Sequence, residues 1–83
     1  MNEKHYDNLC EIANHVGADG AETMVMASIH DFFGSDPRDR EDTTRCIAAI
    51  YNALDVFCIA LDCEDEVQDM AEQVAAKNAV SEA

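Results

Sequence analysis

The sequence predicts an all-α protein: a small helical bundle of three to four helices with a long central helix, self-associating. Three observations lead there. Apolar residues recur at intervals of three and four instead of alternating. The breakers Gly17, Gly20, Gly34 and Pro37 all fall in the first half of the chain. Finally, 83 residues, 48% of them hydrophobic, make a single domain too small to bury a large core unaided.

Tyr6, Leu9, Cys10, Ala13 and Val16 share one face of a first helix over about residues 3–16, with Gly17 placed just beyond its end. Asp19 and Glu22 have the spacing of a capping box for a second helix, 20–33, whose face carries Val25, Ile29, Phe32 and Phe33. "TMVMASI" has strand-like composition, but no neighbouring segment offers it a pairing partner. Asp36 and Pro37 then give the strongest helix start, a capping acid followed by proline at the first helical position.

From Pro37 two apolar stripes run side by side to about residue 61. Ile47, Ile50, Leu54, Phe57 and Leu61 form a bulky one, expected to fill the core. Cys46, Ala49, Ala53, Val56, Ala60 and Cys63 form a small one that lets another helix approach closely. Within it Ala49, Ala53, Val56 and Ala60 are the candidate oligomer seam. The chain either continues as one helix to about 78 or breaks near Asp62, which then caps a fourth helix over 63–78; usual helix lengths favour the break. The tail 79–83 is expected to fray.

Charge narrows the possible partners. Eighteen acids against five bases give a net charge of -13, which repels nucleic acid and anionic membranes over about 8 to 10 Å at ordinary salt. Basic protein surfaces are attracted instead. No stretch reaches the roughly 20 apolar residues needed to span a bilayer, and the opening "MNEKHYDN" lacks the basic and apolar regions of a secretion signal. A cytoplasmic protein with reduced cysteines is therefore expected.

Familiar chemical sites do not fit. Cys10, Cys46, Cys58 and Cys63 are 36, 12 and 5 positions apart, without the close pairs of a zinc site, so no metal ligand is assigned and the thiols are read as packing residues. "DCEDEVQDMAEQ" fails as a calcium loop because Val67 replaces the needed glycine and Gln73 the closing glutamate. His5, His15 and His30 have no recognisable nucleophile partner and there is no phosphate loop. No catalytic residue and no cofactor is predicted. Arg38, Arg40 and Arg45 lie among Asp36, Asp39, Glu41 and Asp42, where local ion pairing explains them.

After Arg45 no base occurs until Lys77. Asp55, Asp62, Glu64, Asp65, Glu66, Asp69 and Glu72 are left without local counter-charge, and Asp55, Asp62, Asp65, Glu66, Asp69 and Glu72 are the candidate partner-binding residues. If 62–72 is helical, five of these acids line about 15 Å of helix, a density close to the roughly 3.4 Å per phosphate of one DNA strand.

In size, charge and helicity the chain resembles the small acidic inhibitors carried by phages and mobile elements, including anti-CRISPR proteins that imitate DNA. That resemblance implies a non-enzymatic protein that blocks a basic, nucleic-acid-binding surface without touching nucleic acid itself. Two other readings stand beside it. One is a homo-oligomeric interaction module whose acids only solubilise it. The other is an oligomer that sequesters an anionic small ligand through Arg38, Arg40, Arg45 and Tyr51.

Overall fold

Asn2 opens the first helix by accepting the Lys4 backbone N–H on its side-chain oxygen at 2.8 Å, satisfying one of the donors that a helix start leaves bare. The computed structural model describes residues 2–36 and 39–82. Helix α1 spans Glu3–Gly34, α2 Arg40–Leu61 and α3 Glu64–Glu82, and no strand occurs among the described residues. The protein is all-α.

Gly17 divides α1 into two arms. Its φ of 70° and ψ of -177° lie in a region essentially reserved for glycine, and the resulting kink lets both arms reach the same core. Leu9 and Ala13 come from the first arm, Ala21 from the second, and Val56 of α2 lies among them. Three residues on, a Cβ at Gly20 would stand 2.7 Å from the Cβ of Val16. Glycine at that position leaves Val16 room to pack against the core. Asp19 lies inside the helical run, its carbonyl accepting from the Thr23 hydroxyl at 3.1 Å; the capping box expected from Asp19 and Glu22 is not formed, because the kink falls at Gly17 and leaves no bare helix start at 19.

The start of α2 also falls later than the sequence suggests. Asp39 is its cap, accepting the Asp42 backbone N–H at 2.8 Å, and Asp36 lies before the helix. Pro37 and Arg38, assigned to the first turn by the sequence, lie outside the described residues.

At its far end α2 stops at Asp62, whose φ of 54° and ψ of 46° are left-handed. The Asp62 N–H donates to the Ile59 carbonyl and the Cys63 N–H to the Cys58 carbonyl, both at 3.1 Å. These two bonds make a Schellman closure. Asp62 therefore ends α2 and does not cap α3; Cys63 precedes α3, and its carbonyl accepts from Val67 N–H at 2.9 Å. Glu64, Asp65 and Glu66 fill the first turn of α3, at the positive end of the helix dipole. The helix continues to Glu82, beyond the end near 78 that the sequence suggests.

Helix α2 packs along α1 and meets α3 only near the turn. At 22 residues it is shorter than α1 with 32, so the expected bundle around a long central helix is not what this chain forms alone. The two stripes of α2 keep their expected roles only in part: Phe57 of the bulky stripe packs against the core and Ile50 is half-buried, but the most buried residues belong to the small stripe. Ala53 and Val56 of the small stripe are 1% and 0% exposed against α1, whereas Ile47, Leu54 and Leu61 of the bulky stripe are exposed. Small side chains allow close approach of α1, and Ile47, Leu54 and Leu61 are left on the outside. Phe33, expected on a core face, is 78% exposed and rests edge-on against Phe32 at 5.1 Å.

Candidate interaction surface

The turn between α2 and α3 gathers acids that the sequence only scatters. Because Asp62 turns left-handed, its side chain, the first turn of α3 and Tyr6 of α1 line one hollow of about 440 Å³, with Glu64, Asp65 and Glu66 as the other walls. Four carboxylates and one phenol meet there. Among the described residues no group of three or more His, Cys, Asp or Glu side chains is arranged to hold a metal ion.

Tyr6 closes one side of the hollow by donating its hydroxyl proton to Glu64 Oε2 at 2.8 Å, 58 residues away in sequence. The bond to Glu64 and, less strongly, burial push the Tyr6 phenol up to about 12, since an ionised phenolate would lose the bond and face a carboxylate. Glu64 is half-buried, whereas Asp62, Asp65 and Glu66 are exposed.

The predicted partner-binding acids separate into three places. Asp65, Glu66, Asp69 and Glu72 lie exposed on α3; Asp62 belongs to the turn; Asp55 is half-buried on α2. Asp62 is thus not part of the helical charge stripe. The four acids on α3 span seven residue steps, about 10 Å, which keeps a spacing of roughly 3 to 4 Å per charge. Asp55 lines a different cleft of about 250 Å³ between α2 and α3, beside Tyr6, Cys58, Ile59, Val67 and Gln68.

The residues of the expected oligomer seam are also divided. Ala53 and Val56 are buried inside the chain by α1, Ala60 is half-buried and Ala49 exposed. Two members cannot face another copy while α1 covers them. Tyr6 and Glu64 are the members of the acidic hollow outside the expected partner-binding set, although Glu64 belongs to the same run of acids without counter-charge. In the sequence Tyr6 reads as one more residue of an apolar stripe, and nothing local ties it to Glu64.

All four cysteines are free and half-buried. Cys58 and Cys63 occupy the two positions whose side chains commonly touch in a Schellman closure. Burial first, then the neighbouring Cys63 and Asp55, raise the Cys58 thiol above its ordinary value, which keeps it protonated and a poor nucleophile at neutral pH. In the basic segment Arg45 meets Glu41 at 3.4 Å and Asp42 at 3.7 Å, with all three exposed to solvent to a substantial degree. Arg38, one of the three arginines of the sequestering alternative, lies outside the described residues.

By length and composition alone α2 could cross a bilayer: it has 22 residues, and its most apolar 18-residue stretch has a mean hydropathy of 1.5. The sequence expectation that no stretch is long and apolar enough does not hold for this helix, whose average tolerates the few polar residues within it. In the fold, one face of this helix is packed against α1.

The fold and surface define a small three-helix protein with an acidic hollow at the α2–α3 turn. Comparison with protein-family models, with curated proteins and with solved structures finds no match.

Proposed function

We propose that this chain is a non-enzymatic binding protein that uses the acidic hollow and the adjoining acids of α3 to occupy a basic protein surface. One observation carries the reading. Asp62, Glu64, Asp65 and Glu66 converge on a hollow in a stretch of sequence with no base between Arg45 and Lys77. Such a hollow suits a lysine or arginine head group inserted from a partner, with carboxylates to bond it and the Tyr6 ring beside it.

Asp69 and Glu72 extend the negative charge along α3 beyond the hollow. A partner whose basic groove is spaced for phosphates would meet carboxylates at a similar interval, so its access to nucleic acid would be blocked. Affinity capture from the native host cells at low and at moderate salt tests this. The expected result is a basic, nucleic-acid-binding protein that is lost steeply as salt rises and is displaced by added nucleic acid. Capture of partners that are indifferent to both salt and nucleic acid would overturn the proposal.

A further inference from the structure

The surface of this chain is too large for its mass. A folded monomer of 9.1 kDa is expected to expose about 4,900 Å², yet the chain exposes 6585 Å². Its radius of gyration is 14.6 Å, against about 12 Å for a compact domain of this length. About 1,700 Å² per chain is therefore left over, and hiding that area on two chains would bury about 3,400 Å², within the range of obligate homodimers.

Among the exposed apolar residues, those of α2 and α3 fall into two stripes. On α2, Ile47, Tyr51, Leu54 and Leu61 recur at steps of four, three and seven and are 42% to 66% exposed. At about 100° per residue they point roughly 150° away from Ala53 and Val56, the face already taken by α1. On α3, Val67, Met70 and Val74 are 45% to 64% exposed. They lie on the side of the helix opposite Asp65, Asp69 and Glu72. The α3 stripe reaches the α2–α3 cleft through Val67, where Cys58 and Ile59 of α2 are apolar neighbours and Asp55 and Glu64 lie at the same lining.

We propose that this surface is the interface of a two-fold homodimer, each copy laying the apolar face of α3 along the outward stripe of α2 of the other. Charge selects this occupant. The chain carries a net charge of -13, but neither stripe contains an ionised side chain, so an apolar surface is its best complement and a second copy supplies one identical to it. Asp65, Asp69 and Glu72 then remain on the outside of the dimer. The interface leaves both acidic hollows available, and each stands on observations separate from the other.

Sedimentation equilibrium of the isolated chain tests the proposal, beside Leu54→Asp, Val74→Asp and Met26→Asp, the last an exposed α1 residue outside the surface, and beside flotation with neutral phosphatidylcholine vesicles. The wild type is expected at twice the 9.1 kDa chain mass and unbound to vesicles. Leu54→Asp and Val74→Asp are each expected to raise the dimer dissociation constant at least about a hundredfold with helical circular dichroism retained, and Met26→Asp to leave it unchanged. A monomeric wild type, a chain that floats with the vesicles, or a dimer indifferent to both Leu54→Asp and Val74→Asp would each overturn it. No basic partner is present in this measurement, so its failure would leave the acidic-hollow reading standing.

Discussion

The Tyr6 hydroxyl donates to the Glu64 carboxylate at 2.8 Å, and this bond is what links the start of α1 to the start of α3. Among the described residues the two helices have no direct backbone packing. The short turn at Asp62, the α2–α3 contacts beside it and this side-chain bond all bear on the position of α3 and the shape of the acidic hollow.

The bond gives the protein a signature in alkali. Tyr6 ionises at about 12 instead of its ordinary 10.0, so its folded value lies above its unfolded one. The stabilisation is complete below pH 10 and is lost as pH rises through 12. Ultraviolet titration of tyrosinate should show an ionisation near 12 that is absent in Tyr6→Phe and falls to lower pH in Glu64→Ala. Identical high-pH titrations for wild type and Glu64→Ala would show that the bond is not made in solution.

The kink in α1 should not tolerate a side chain. Gly17→Ala has free space for its Cβ but must hold a left-handed backbone, costing about 1 to 3 kcal/mol. Gly20→Ala meets Val16 instead and should be destabilising through displaced packing. Urea denaturation of both variants measures the losses, and unchanged midpoints would show that α1 does not need the kink to reach α2.

Asp62→Gly should act in the opposite direction. Glycine adopts the left-handed conformation at the end of α2 more readily than aspartate, so the variant is expected to gain about 0.5 to 1 kcal/mol, or about 2 to 8 °C in Tm for a domain of this size. Differential scanning calorimetry checks the sign. The same variant removes one carboxylate from the hollow, so higher stability together with weaker binding of a basic partner is the expected combination.

Cys58 should react more slowly in the folded chain than in the denatured one. Its raised thiol value leaves less thiolate near neutral pH. Rates of iodoacetamide modification located by peptide mass mapping, with and without urea, give the comparison; equal rates would mean that the α2–α3 corner is open in solution.

The helical class and the faces of the two arms of α1 could be read from the sequence because a period of three to four is a local property, and Leu9, Ala13 and Val25 are buried where that period puts them. The roles of the two α2 stripes could not be read in the same way. Both have helical spacing, and only the approach of α1 decides that Ala53 and Val56 go inside while Leu54 goes outside. Asp62 was legible as a boundary residue but not as a left-handed one, since aspartate suits either a helix start or a left-handed closure. That backbone choice removes Asp62 from the charge stripe of α3 and sets it beside Tyr6 and Glu64. The hollow depends on a contact across 58 residues, for which local spacing contains no signal.

The most direct test of the acidic-hollow proposal is to make the same change in net charge at two different places on the surface. Binding of the captured basic partner should be measured by calorimetric titration for the wild type, for a variant with Asp62, Asp65, Glu66 and Asp69 all changed to lysine, and for a control with Glu11, Asp19, Glu22 and Asp31 of α1 changed to lysine. Those α1 acids are exposed as well, and the two variants carry the same net charge. The proposal predicts that the first variant loses measurable binding while the control stays within about tenfold of wild type, the scale of rim electrostatics. Equal losses in both variants, or binding that survives the first, would contradict it.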